Sequence, residues 1–113
     1  MAQGAIQLTD GNFEREALKS PVPVLVEFTG PNCPPCRLLA PIIEQLAASY
    51  AGRLRVAMLP IDDNPGTIRR FTILSVPTLL MLKGGKEVHR VTGFRSASQL
   101  TDLIRDKLGV EAP

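Results

Sequence analysis

Three apolar runs dictate most of what this chain can fold into: VPVLVEF over residues 22–28, LRVAMLPID over 54–62 and VPTLLML over 76–82. Each is short and nearly unbroken, the pattern of strands covered on both faces. Between them the apolar period changes to that of a helix. Leu38, Leu39, Ile42, Ile43, Leu46 and Ala47 predict a long helix that Gly52 closes. NPGTIRRF predicts a short one, with Asn64 as its cap and Pro65 in its first position. Upstream, AIQLT (5–9) reads as an opening strand. FEREALKS (13–20) reads as a short helix capped by Asp10 or Asn12, with Phe13, Ala17 and Leu18 inward. Downstream, KGGK is a tight turn into a hairpin partner over 87–93. Ser96 and Gln99 then form a capping box for a last helix, whose apolar face is Leu100, Leu103, Ile104 and Leu108 and whose stop is Gly109.

The order is β-α-β-α-β-α-β-β-α. Strands alternating with helices predict an α/β fold with parallel strands, helices on both faces and a C-terminal antiparallel hairpin completing a mixed sheet. At 113 residues the chain makes one domain, 1–113, and its 44% apolar content is enough to fill a core. Net charge is +2 and the basic residues are scattered, with Arg69–Arg70 the one adjacent pair. No basic stripe tracks a phosphate backbone, so nucleic acid is not an expected partner. No apolar run approaches a membrane span. MAQGAIQLTDGNF has neither the basic start nor the apolar stretch of a secretory leader, so the expected location is the cytoplasm. Thiols are kept reduced there, and a cysteine pair is more often catalytic, sensing or metal-binding than structural.

The chain has two cysteines, both in PNCPPCR (31–37), directly after the run 22–28 and at the head of the long helix. In sheets of this kind chemistry gathers beyond the carboxyl ends of the strands, where this segment falls. Cys33 is expected at the helix N-cap, followed by Pro34, Pro35 and Cys36. Side chains three apart on a helix have Cβ atoms about 5–6 Å apart, and a disulfide needs about 3.8 Å, so a small adjustment of the first turn closes the bond. Free N–H groups and the positive end of the helix dipole favour the Cys33 thiolate, the attacking species in thiol chemistry. The two prolines remove N–H donors near that sulfur and restrict the reduced backbone, which is expected to favour the disulfide. A zinc site needs about four ligands, and only His89 and scattered carboxylates could join the cysteines; no metal is expected. An inert disulfide closing so small a loop would stabilise little. A redox pair is the stronger reading. Pro41, inside the same helix, is expected to kink it.

Read together, Asn32-Cys33-Pro34-Pro35-Cys36-Arg37, the following LLAPI with Pro41, the stretch IDDNPGTIRRFTILSVPTLLMLKGGK with Val76-Pro77-Thr78, and Gly85 and Gly93 are similar to the thioredoxin family, over almost the whole chain. The resemblance implies the thioredoxin fold and a thiol–disulfide oxidoreductase that reduces protein disulfides. It implies Cys33 as exposed nucleophile and Cys36 as buried resolving thiol. It implies a cis Val76–Pro77 bond that leaves the Val76 backbone free, and an apolar docking surface of Pro34, Pro35, Val76, Pro77, Gly93 and Phe94. The implied partners are disulfide-containing client proteins and a thioredoxin reductase or other electron donor. No bound cofactor is implied, and a monomer is expected.

The sequence departs from the family at five positions. The family's motif is W-C-G-P-C-[KR], and here Pro34 replaces the glycine while Thr29 and Asn32 replace two tryptophans. The family's buried Asp corresponds to Glu27, and the lysine that commonly accompanies it to Met58. Glu27 is either a buried carboxyl with a raised pKa that takes the proton from Cys36, or a solvated residue on a sheet edge. The altered motif also leaves room for two other readings: a more oxidising exchanger or isomerase with a different reductant, and a non-catalytic binding module.

Overall fold

The computed structural model describes residues 4–113. Five strands form one sheet in the order β1-β3-β2-β4-β5: β1 (Ile6–Gln7), β2 (Val24–Thr29), β3 (Arg55–Pro60), β4 (Thr78–Lys83) and β5 (Lys86–Thr92). β1, β3 and β2 run parallel, and β4 and β5 complete the sheet antiparallel. The mixed sheet expected from the apolar runs is therefore present, with strand ends shifted by one or two residues. The opening strand is shorter than AIQLT, because only Ile6 and Gln7 find Cα partners, Ala57 and Met58 on β3.

Helices cover both faces. α1 (Pro34–Ser49) and α3 (Ala97–Leu103) lie on one, where Leu39, Ile43 and Leu46 pack with Leu100, Ile104 and Leu108 over Leu25, Leu79 and Met81. A π-type helical turn, Ile104–Leu108, continues α3. α2 (Pro65–Phe71) and a second π-type turn, Glu14–Leu18, cover the other face, where Phe13, Ala17 and Ile73 pack over Val24, Val26, Phe28, Leu80 and Leu82. Alternate residues of β2 thus feed two cores, which is why that strand reads as one unbroken apolar run. Each of its fully buried aliphatic side chains stabilises the fold by about 1.5–3 kcal/mol.

The helix ends follow the sequence unevenly. The Ser96–Gln99 capping box forms with both reciprocal bonds, 3.1 and 2.9 Å. The Lys83–Lys86 turn forms with Gly84 and Gly85 both at positive φ, the backbone that a two-residue hairpin demands. The other two caps are corrected. Asn64 makes no cap bond for α2; its amide instead donates to the carbonyls of Pro60 and Asp62. α2 is capped by Asp10, whose carboxylate accepts from the N–H groups of Gly66 and Thr67 and from the Thr67 hydroxyl at 2.6–2.9 Å. Asp10 and Asn12 therefore do not cap the turn after them, whose N-terminal residue Phe13 has no side-chain cap. Leu38 is also misplaced by the apolar spacing. It is 64% exposed, because the buried stripe of α1 runs through Cys36, Leu39, Ile43, Leu46 and Ala47. Pro41 sits inside α1 on its exposed side, where solvent can serve the Arg37 carbonyl that it leaves without a helical partner.

Candidate active site

β2 ends at Thr29, and α1 begins at Pro34 after four intervening residues. The turn between them places Cys33 at the N-cap in extended conformation, φ −124° and ψ 94°. Pro34 and Pro35 fill the first two helical positions, where a missing N–H costs the helix nothing. Cys36 opens the buried stripe. Cys33 and Cys36 are joined as a disulfide with a Cα–Cα distance of 5.2 Å, inside the range that bridged cysteines adopt. The Cys36 N–H donates to the Cys33 sulfur at 3.2 Å. It is the first N–H of the helix, since both residues between are proline. Cys33 retains 7% exposure and Cys36 4%. The expected contrast between an exposed and a buried thiol is therefore small in this oxidised form, because each sulfur covers the other.

Glu27 lies two residues before the end of β2, with Met58 of β3 and Leu79 of β4 as its lateral partners. It shares the Leu25 face of the strand, which α1 covers. β2 is the central strand, so the edge reading of Glu27 is excluded. Its exposure is 0%, and neither carboxyl oxygen finds a hydrogen-bond partner among the described residues. Burial without compensation raises its pKa from 4.5 to about 7. Met58 supplies no charge to offset this.

The Val76–Pro77 peptide is cis. β4 begins at Thr78, so Val76 stands outside the strand that the sequence assigned to 76–82. Among the described residues its backbone takes no part in a hydrogen bond outside the sheet ladders. The Pro77 carbonyl accepts from the Gly93 N–H at 2.8 Å, which ties this loop to the Gly93–Phe94 loop. On the other side Gly30 closes the arrangement. A Cβ there would stand 3.3 Å from both Ile61 Cδ1 and Val76 Cγ2, so the backbone three residues before Cys33 lies against the Val76 side chain. The structure thus brings together the Cys33 turn, the Val76–Pro77 loop and the Gly93–Phe94 loop at one end of the sheet. Gly93 holds φ +87° and Phe94 is 41% exposed. Gly30 and Ile61 were not marked by the sequence. The close approach of Gly30 is a tertiary contact, and a lone glycine between a strand and a turn carries no local sign of it.

The thioredoxin family model matches residues 4–106. Similar proteins include a thioredoxin of Acidithiobacillus ferridurans, 43% identical over 96% of this chain and 100% of its own. A thioredoxin 1 of Nostoc sp. is 39% identical, over 92% and 97%. A thioredoxin of Alicyclobacillus acidocaldarius is 42% identical, over 89% and 95%. The chain belongs to the thioredoxin family. With the Cys33–Cys36 disulfide in a C-X-X-C arrangement, it is a thiol–disulfide oxidoreductase. Within that family it is a variant. Two prolines stand between its cysteines, it has no tryptophan, and its buried Glu27 has no hydrogen-bond or ionic partner among the described residues.

Proposed function

We propose that this protein reduces disulfides in client proteins. In the reduced form, the Cys33 thiolate attacks one sulfur of a client disulfide. The client's second sulfur leaves as thiolate and takes a proton from water. Glu27, as carboxylate, accepts the proton of Cys36. The Cys36 sulfur then attacks the Cys33 sulfur and displaces the client's remaining sulfur as thiolate. That thiolate takes the proton held by Glu27, so two electrons have passed to the client with one proton from water and one from Cys36, and the Cys33–Cys36 disulfide is left. A dithiol or a thioredoxin reductase must return the electrons. Pro34, Pro35, Val76, Pro77, Gly93 and Phe94 receive the client chain, and the free Val76 backbone is available to pair with it as a strand would. The reducing setting that such a cycle needs is that of the cytoplasm.

What supports this reading is the Cys33–Cys36 disulfide at the N-terminus of α1, together with a fully buried carboxyl, Glu27, on the face of β2 that α1 covers, its pKa raised by burial to about 7. Insulin reduction with dithiothreitol as electron source tests it. The wild type accelerates the reaction, Cys33→Ser abolishes the acceleration, and Cys36→Ser accumulates a mixed disulfide. Equal rates for wild type and Cys33→Ser would refute it. A coupled assay with NADPH and a thioredoxin reductase then identifies the electron donor.

A further inference from the structure

Of the two residues that flank Glu27 in the sheet, one is sealed and the other is not. Leu79 of β4 is fully buried. Met58 stands directly across from Glu27 on β3, a strand about 4.8 Å away. It packs against the core that α1 covers, so its side chain shares the Glu27 face, yet it is only partly buried. Beyond it lies only β1, two residues long, where the sheet ends. Met81, the other methionine among the described residues, is fully buried. Taken alone, a partly buried methionine is gap-filling apolar surface. Beside a buried carboxyl with no hydrogen-bond partner, its sulfur has a chemical consequence.

Hydrogen peroxide oxidises a thioether by two electrons. The sulfur lone pair takes one peroxide oxygen, the O–O bond breaks, and the second oxygen leaves with both protons as water. The product, a sulfoxide, is polar where the thioether was apolar. Its oxygen is a strong acceptor, and the thioether sulfur is a weak one. Glu27 has an O–H to donate only when protonated, and neither of its oxygens has another partner among the described residues. A sulfoxide at Met58 therefore favours the neutral acid over the carboxylate. No charged side chain opposes this from the elements packed on Glu27. Arg37 and Glu44 of α1, Asp102 of α3 and Lys83 of β4 are exposed, and Arg55 of β3 projects from the opposite face, where its partner Val24 packs. Tyr50, a titratable group in the same core, lies at the far end of α1. In the reduced protein the cysteine thiols are the titratable groups at the near end.

We propose that Met58 is a peroxide-modification site that controls Glu27: its sulfoxide accepts a hydrogen bond from the protonated carboxyl and holds it neutral, so that Cys36 loses its proton acceptor. The effect on turnover rests on the role of Glu27 in disulfide reduction proposed above. Methionine sulfoxide reductases reverse the modification, which makes it a switch rather than a lesion.

The test starts from the disulfide form, which has no free thiol for peroxide to attack. After treatment with hydrogen peroxide, peptide mass mapping should find one added oxygen on Met58 well before Met81. The Glu27 carboxyl, followed in that form by its carbon chemical shift, should then titrate about half to one pH unit higher than in untreated protein, the worth of one hydrogen bond to the neutral acid. After reduction, insulin turnover should be about two- to fivefold slower at pH 7, and the difference should close by pH 9, where the carboxyl is ionised in both proteins. Met58→Leu should show neither change on treatment, and treated Glu27→Gln should lose no further rate. Met81 oxidised as readily as Met58 would overturn the proposal, as would a Glu27 titration that stays put or falls. A rate loss equal from pH 6 to 9 would also overturn it, marking general damage to the core. Insulin reduction by untreated wild type decides the reducing role separately. The Glu27 titration requires no turnover, so the Met58 assignment stands or falls on it even if that role fails.

Discussion

Replacing Pro34 with glycine should make the Cys33–Cys36 couple less reducing. Pro34 is the first residue of α1 and lies inside the ring that the disulfide closes. In the reduced protein that ring is open, and proline has already removed part of the freedom that closing it must take away. Glycine restores that freedom to the dithiol only. Exchanges of this kind at a compatible position are worth about 0.4–1 kcal/mol. At 1.4 kcal/mol per 30 mV, this is a rise of about 10–20 mV in the potential. The second effect of the proline, a lost N–H, is held constant by the choice of site. An N-cap acceptor is served by the second and third helical N–H groups, and here Pro35 still occupies the second. Cys36 remains the donor to the Cys33 sulfur in both proteins. Equilibration against a graded series of oxidised and reduced dithiothreitol at pH 7, read by alkylation of free thiols, gives the potential directly. No change, or a change to a more reducing value, would refute the reasoning.

Other positions yield sharp expectations. For Glu27, protonation persists in the folded chain up to about pH 7 and in the unfolded chain only to about 4.5. Wild-type stability should therefore fall as pH rises across that interval, by about 3 kcal/mol in all, and then level off; urea unfolding at pH 4.5, 7 and 9 should show this fall missing in Glu27→Gln. The same variant should turn over more slowly at neutral pH and lose any rate step near pH 7, whereas identical pH–rate profiles from pH 6 to 9 would remove Glu27 from the proton path. Tyr50 is buried with its hydroxyl unpaired among the described residues, so Tyr50→Phe should leave stability unchanged or raise it by up to about 1 kcal/mol; a clear loss in urea unfolding would mean that the hydroxyl has a partner. Gly84 and Gly85 both hold positive φ, but a Cβ on Gly85 would stand 2.8 Å from the Leu18 carbonyl oxygen while Gly84 faces open space. Gly84→Ala should cost about 1–2 kcal/mol and Gly85→Ala more, and equal thermal shifts would contradict the packing of that turn.

What the sequence made legible was local or periodic. β2 and β4 announce themselves because both of their faces are buried, and the Ser96–Gln99 cap because both of its partners lie within one turn. Cys33 was placed at the head of α1 because a strand, a turn and a helix pattern follow one another without a gap. The errors all concern contacts between distant segments. Asp10 caps a helix 56 residues away, and nothing near Asp10 or Asn64 distinguishes that from a cap on the adjoining turn. Glu27 stayed ambiguous because an apolar run does not reveal strand order, and the central position of β2 decides the matter. Leu38 was placed inward by a spacing that several stripes of α1 satisfy; the packing of Cys36, Leu39 and Ile43 selects another.

Disulfide reduction depends most directly on the ionisation of Cys33, because only its thiolate attacks a disulfide. Titration of the reduced protein, followed by thiolate absorbance in the ultraviolet and by the pH dependence of alkylation, measures it. One thiol should ionise below the free-cysteine value of about 8.5, and that ionisation should vanish in Cys33→Ser while persisting in Cys36→Ser. A Cys33 thiol that stays protonated to well above pH 8.5 would contradict the account.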